Sequence, residues 1–285
     1  MKKLITVVGL GNTGRTIVSL LLQEKQHIFT INILDPSEEI EGSFLDLSHA
    51  SMLTHHKLIL NDFELFEDSD FVFHTAGAKI KQDADRNSVV HESLELTSQI
   101  FDSKQFTNQP YIIVISNPVD VICTYMYNDL KITAKQIIGT GTLLDTARLQ
   151  HYIRQVNDSS KAKGLVLGEH GENMVCFIDD TFSNADKEKL KEKTLKSAKQ
   201  IKKTQGATYY GVAQSSVKIL EVILKNDFTS VLPLSIYNNS PVFSSVESKF
   251  NGKVIGSIEN KYSNQIEKEL QNSINSIKKV YSESK

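Results

Sequence analysis

Along the first half of the chain, short apolar runs alternate with segments of helical spacing. Leu4–Val8, Phe29–Leu34, Lys57–Leu60, Phe71–Thr75, Tyr111–Ser116 and Gln136–Gly139 have strand length and composition. Arg15–Gln23, Val89–Phe106 and Val119–Leu130 read as helices between them. Ser37 stands where an N-cap belongs, with Glu38 and Glu39 in the first turn of a helix expected to run to Leu53. Strands alternating with helices predict right-handed βαβ units and a parallel sheet.

The pattern changes after Gly141. A helix over Leu143–Val156 leads to a short strand, Gly164–Leu167. Lys187–Lys203 is a charged helix whose lysines read as a solvated face, and Ala207–Lys225 is a more apolar one. Val231–Tyr237, Pro241–Glu247 and Val254–Ile258 read as antiparallel strands. The last helix, Asn264–Tyr281, carries Ile266, Leu270, Ile274 and Ile277 on one stripe. The expected fold is α/β: a doubly wound parallel sheet over residues 1–141, then an α+β domain over 142–285.

Composition narrows the function. A chain of 285 residues has room for two domains, and 40% hydrophobic with 23% charged residues is ordinary for a soluble protein. A net charge of −2 leaves no electrostatic footprint for nucleic acid or an anionic membrane. The N-terminal apolar run stops at Val8, too short for a secretory signal, and no run approaches the ~20 residues of a membrane span. A cytoplasmic location is expected. Cys123 and Cys176 form neither a metal-type spacing nor a disulfide framework, so no metal is expected, and Cys123 reads as a buried structural thiol.

Gly9-Leu10-Gly11-Asn12-Thr13-Gly14 follows a strand and opens a helix, the context a dinucleotide-binding G-x-G-x-x-G needs. The first glycine permits the turn, the second lets a pyrophosphate approach the backbone, and the third lets helix and strand pack. Asp35 ends the next strand about twenty residues on, where a carboxylate accepts hydrogen bonds from a ribose diol and repels a 2′-phosphate. The prediction is NAD rather than NADP. The plainer alternative for Asp35 is a turn residue in Asp35-Pro36-Ser37.

Three further segments carry polar groups suited to hydride transfer. Thr75-Ala76-Gly77-Ala78 ends a strand, and the polar stretch up to Arg86 reads as a closing loop. Ser116-Asn117-Pro118-Val119-Asp120 puts Asn117 at a strand's carboxyl end, where open α/β sheets bind ligands; taken alone, it reads more simply as a turn before a helix. Asp145 and Arg148 share a helix face, and His170 lies between Gly168 and Gly171 after an apolar strand. A surface ion pair and a structural histidine are the plainer readings.

These residues, in this order and together with Leu45-Asp46-Leu47-Ser48-His49-Ala50, resemble the L-lactate/malate dehydrogenase family. Gly139–Arg148, Ile80-Lys81 and Asp85-Arg86 look most like its L-2-hydroxyisocaproate dehydrogenase branch. The resemblance is specific as far as Gly171 and weaker beyond. It implies a Rossmann domain that binds NAD through Gly9, Gly11, Asn12, Thr13, Gly14, Asp35, Thr75, Ala76, Gly77 and Asn117. It also implies reversible reduction of a small 2-keto acid to an L-2-hydroxy acid. In this likeness His170 exchanges the proton, Asp145 orients and stabilises its imidazole, and Arg86 polarises the carbonyl. Arg148 holds the substrate carboxylate, Asn117 its oxygen, and Thr208 lines the pocket. A homodimer or homotetramer is implied.

Ile80 departs most usefully from the family pattern. Malate enzymes carry Arg and lactate enzymes usually Gln at that position, whereas Ile cannot pair a second carboxylate. An apolar 2-keto acid, pyruvate or a longer or branched analogue, is therefore expected over oxaloacetate. The loop Lys79–Arg86 lacks the family's Pro-Gly pair, so its hinge differs. The stretch from His170 to Thr208 is shorter than in most relatives, with a trimmed element expected near Glu172–Asn184. Gln150 replaces a basic residue, which argues against sugar-bisphosphate activation. The alternatives are a malate dehydrogenase and a non-catalytic NAD-binding structural protein.

Overall fold

The computed structural model describes residues 2–78, 86–156 and 163–284, and for 86–88 the backbone alone. Ile80 and the rest of 79–85 lie outside the described residues. The chain runs β1 Lys2–Val8, α1 Asn12–Leu21, β2 Ile28–Leu34, α2 Glu41–Ser51, β3 Lys57–Leu60, α3 Phe63–Glu67, β4 Phe71–His74, α4 Arg86–Phe101, β5 Tyr111–Val114, α5 Val119–Asn128 and β6 Ile137–Gly139. It continues through α6 Leu143–Val156, β7 Gly164–Gly168, β8 Met174–Ile178, α7 Asn184–Gln205, α8 Tyr210–Leu224, β9 Val231–Ile236, β10 Ser244–Phe250, β11 Ile255–Ser257 and α9 Asn264–Glu283.

The first six strands pair in parallel in the order β3-β2-β1-β4-β5-β6. That is the Rossmann order, and the strand sequence reverses direction between β1 and β4. Side chains one residue apart enter opposite layers, as pleating requires. Ile113 and Ile138 join the core packed by α1 and α8, whereas Ile112, Val114 and Ile137 join the core packed by α5 and α9. Both faces are covered, which is why these strands read as continuous apolar runs.

The second half is α+β, and its strands are antiparallel. They do not form a separate sheet: a Gly139–Ser235 pairing joins β6 to β9, so β9-β10-β7-β8 extend the parallel sheet. Helices from this half, α8 and α9, complete the two layers over the first. Cys123 is fully buried, as its apolar setting predicted, and α7 buries Leu190, Thr194 and Ser197 while most of its lysines are exposed.

Four local features differ from the sequence reading. Ser37 does cap, its hydroxyl accepting the Glu39 N–H, but the cap opens a 3-10 turn, Glu38–Ile40, before α2 begins. The short α3 follows an Asp62 cap that accepts the Leu65 N–H; five residues are too few to show periodicity. The sequence assigns no element between 172 and 184, where β8 forms a hairpin with β7. The strand expected at Pro241–Glu247 lies at Ser244–Phe250, because Val242 and Phe243 are buried in the core before pairing starts. Among the described residues, no helix is long and apolar enough to cross a membrane and no His/Cys/Asp/Glu cluster could hold a metal ion.

Candidate active site

The carboxyl ends of β1, β2 and β4 surround a cleft of about 570 Å³ lined by Gly9, Gly11, Asp35, Thr75, Ala76 and Gly77, among others. Gly9 has φ +92, and a Cβ there would lie 2.9 Å from the Ala76 backbone nitrogen. A Cβ on Gly14 would lie 1.9 Å from the Gly9 carbonyl oxygen, so α1 reaches β1 only with glycine at this point. Gly11 is different: a Cβ there meets nothing within 4 Å, and Gly11 caps α1 without a side-chain hydrogen bond. The helix N-terminus thus faces open space, and the N–H groups of a first helical turn have no acceptor within their own helix, a fit for a pyrophosphate. Asn12 and Thr13 form the first turn of α1.

Asp35 is fixed by its surroundings. Its Oδ2 accepts the Leu10 N–H at 2.7 Å and its Oδ1 accepts the Ser37 N–H at 3.0 Å. Its own backbone exchanges hydrogen bonds with the Asn61 side chain. Each carboxylate oxygen keeps further lone-pair capacity toward the cleft. Thr75 donates its hydroxyl to the Val8 and Gly9 carbonyls, tying β4 to the glycine turn.

A second cavity, of about 110 Å³, opens next to Asn117 at the end of β5 and is lined also by Arg148, His170 and Thr208. The four residues were singled out separately in the sequence and come from four segments. Ser116 links this cavity to the cleft, donating its hydroxyl to the His74 and Ala76 carbonyls at 3.0 and 2.5 Å. Asn117 precedes Pro118 across a cis peptide bond.

Asp145 organises the floor. It lies in the first turn of α6 with its side chain 5 % exposed. One oxygen accepts Arg148 Nη1 at 2.7 Å and the other accepts His170 Nδ1–H at 2.6 Å. The ion pair is therefore not a surface one, since Arg148 is 13 % exposed, and the histidine is not merely packed, since its ring keeps 27 % exposure toward the cavity. Gly168, at φ +85, turns the chain out of β7 so that His170 meets α6; a Cβ there would lie 2.5 Å from Ser273 Oγ.

The electrostatics favour a charged imidazole. Burial alone would pull the His170 pKa down, but the Asp145 carboxylate, through its charge and its hydrogen bond, outweighs that with help from Asp120, and the pKa sits above the ordinary histidine value. For Asp145, burial would raise the pKa, but His170 and Arg148 outweigh it and hold the carboxyl below its ordinary value.

Arg86 is the first residue of α4, and its side chain lies outside the described residues, as does all of Ile80. Several residues at the site went unassigned in the sequence, and two of them carry an ionisable group. Lys202 of α7 lines the small cavity; in sequence it is one lysine among many in a charged helix. Asp120, quoted only as the end of the Asn-Pro motif, accepts the His170 backbone N–H at 2.7 Å across 50 residues. No local sequence signal marks a contact of that range.

Comparison with known proteins agrees with the geometry. Residues 3–139 match the profile of the lactate/malate dehydrogenase NAD binding domain, and 142–282 that of the lactate/malate dehydrogenase alpha/beta C-terminal domain. The chain is 30% identical over 274 residues to a probable L-lactate dehydrogenase of Schizosaccharomyces pombe, covering 87% of this chain and 82% of that one. A lactate dehydrogenase from a Medee basin deep-sea metagenome library superposes with a TM-score of 0.87 at 25% identity, covering 99% of both chains. A malate dehydrogenase from Plasmodium falciparum in complex with NADH shares the fold, with a TM-score of 0.85 at 20% identity over 99% of this chain and 98% of that one.

Proposed function

The chain belongs to the lactate/malate dehydrogenase family of NAD-binding oxidoreductases, and from that premise we propose that it is an NAD-dependent L-2-hydroxy acid dehydrogenase for a small apolar 2-keto acid, pyruvate or a longer or branched analogue. The observation that carries this reading is the Asp145–His170 pair at 2.6 Å, with Arg148 on the other Asp145 oxygen and all of this beside one small cavity.

When bound, NADH supplies the hydride that reduces the keto carbon. Gly9, Gly11, Asn12, Thr13 and Gly14 would hold its pyrophosphate at the α1 N-terminus, Asp35 its ribose diol, and Thr75, Ala76, Gly77 and Asn117 the part nearer the substrate. Asp145 accepts Nδ1–H, which leaves Nε2 of His170 for the substrate oxygen. In reduction, protonated His170 gives its Nε2 proton to that oxygen as the carbon gains hydride. In oxidation, neutral His170 takes the hydroxyl proton back. Arg148 retains donors beyond the one spent on Asp145, and these bind the substrate carboxylate with a two-pronged geometry that lysine lacks. Arg86 and Asn117 stabilise the developing oxygen charge. Thr208 borders the substrate, and Ile80 selects its side chain. The domain division follows the same reading: residues 1–141 hold NAD and 142–285 supply most of the substrate site.

A homodimer or homotetramer is part of the proposal. Leu45 (54%), Met52 (82%) and Leu53 (91%) leave one end and face of α2 apolar and exposed, which supports burial against another copy.

One observation favours a second reading. Lys202 lines the cavity and could meet a second carboxylate, as a malate enzyme requires. A kcat/KM panel over pyruvate, 2-ketobutyrate, 2-ketoisocaproate, phenylpyruvate and oxaloacetate separates the two. The expected result is a preference for an apolar keto acid over oxaloacetate of about 10-fold or more. Oxaloacetate as best substrate would overturn the apolar assignment, and no NADH oxidation with any of the five would overturn the enzyme.

A further inference from the structure

Asp120 lies in the first turn of α5 and is 3% exposed. Both of its oxygens are used by distant segments. Oδ2 accepts the His170 backbone N–H at 2.7 Å, and Oδ1 accepts the Ser235 hydroxyl of β9 at 2.5 Å. Ser235 comes this close because Gly139 opposite it has no side chain: a Cβ there would lie 2.8 Å from Ser235 Cβ and 2.9 Å from Cys123 Sγ. The carboxylate thus joins α5, the turn after β7, and β9, directly behind the Asp145–His170 pair.

We propose that Asp120 is a positioning residue for His170, pinning its backbone from behind and supplying a second buried negative charge that, with Asp145, favours the protonated imidazole. The inference rests on the reading of His170 as the acid/base group.

The groups around Asp120 fix the sign of its effect. From the turn come His170 and the buried Glu169; from α5 comes Cys123, and from β9 the uncharged Ser235. Asp145 and Arg148 of α6 face His170 from the other side. From α9, Ser273 meets the turn by accepting the Glu169 N–H. Burial pushes Asp120 up to about 6, with Glu169 adding to it, against the Ser235 and His170 interactions that pull it down. Above about pH 6 the Asp120 charge is present and raises the proton affinity of His170; below it the charge fades. A purely structural acid, one that only caps α5, would have no such pH signature.

The test is an NMR titration of the His170 ring in the full-length protein and in Asp120→Asn, alongside the pH profile of keto-acid reduction. Asn keeps an acceptor but loses the charge. The expected result is a lower His170 midpoint in Asp120→Asn. The alkaline limb of kcat/KM should shift the same way, giving about 10-fold lower kcat/KM at pH 8.5 and values within about two-fold of wild type at pH 5.5. Ser235→Ala removes a hydrogen bond that stabilises the Asp120 charge. It should behave like Asp120→Asn near pH 7 and approach wild type at higher pH, and the same titration decides the matter should Asp120→Asn fail to fold. Unchanged His170 midpoints, or a loss of rate equal at all pH values, would overturn the inference. Should wild type oxidise NADH with no 2-keto acid, the functional reading fails, while the midpoints still decide whether Asp120 acts on His170.

Discussion

His170 Nδ1 lies 2.6 Å from Asp145 Oδ2, a contact that orients the imidazole and favours its charged form. The other Asp145 oxygen is held by Arg148 at 2.7 Å, so the carboxylate cannot turn away. Asp145→Asn keeps the size and loses the charge. We expect kcat/KM for keto-acid reduction to fall by about 100-fold or more, with NADH affinity by fluorescence titration unchanged. A loss below ten-fold would remove Asp145 from the proton-transfer apparatus.

The same pair sets a pH dependence. On the proposed mechanism reduction needs protonated His170, whose pKa is raised, so its kcat/KM should stay level through the ordinary histidine range and decline only above it. Oxidation needs neutral His170 and should rise across that same higher interval. Measuring both directions from pH 5.5 to 9.5 checks this; a reduction limb falling near pH 6 would contradict it.

The two arginines should fail differently. Arg148→Lys keeps a charge but loses the two-pronged contact, and substrate KM should rise by about 10-fold or more. Arg86→Ala should lower kcat by about 100-fold if, as proposed, Arg86 acts on the oxygen where charge develops. Steady-state kinetics with the preferred keto acid separates the cases, and an unchanged KM in Arg148→Lys would put the carboxylate elsewhere.

Asp35 should decide between the dinucleotides. Its carboxylate repels a 2′-phosphate, so wild type should bind NADH far more tightly than NADPH, and Asp35→Ser should narrow that ratio by about 10-fold or more. Equal affinities in wild type would refute this role.

His74 makes an acid-stability prediction. It is fully buried, with Nε2 near Thr97 Oγ1 at 3.1 Å and, among the described residues, no hydrogen-bond partner for Nδ1. Burial depresses its pKa from 6.5 to about 4. The unfolded chain therefore binds a proton that the folded one refuses, and stability is lost as pH falls from 6.5 toward 4. The loss is about 2 kcal/mol by pH 5. Thermal unfolding of His74→Gln from pH 7 to 5 should show a smaller decline than wild type; parallel curves would argue against it.

Much of this was legible in the chain because it is local. The Gly9–Gly14 turn, the strand ends at Asp35 and Asn117, and the helix Leu143–Val156 each rest on spacing within a few residues. The order of elements also separated the parallel half from the antiparallel one, because strands alternating with helices can only return in the same direction through βαβ crossovers.

What spacing could not reach is partnership. Whether Asp145 and Arg148 form a surface ion pair or a buried, three-membered one depends on what approaches the other oxygen, and that is His170, 25 residues on. The β6–β9 junction rests on one pairing between Gly139 and Ser235, and the same close approach delivers Ser235 to Asp120. The sequence by itself determined which residue types stand at the ends of which strands. Only the tertiary structure decided which of them touch, because burial and charge at His170 are set by side chains that the fold, and not the chain, brings within 3 Å.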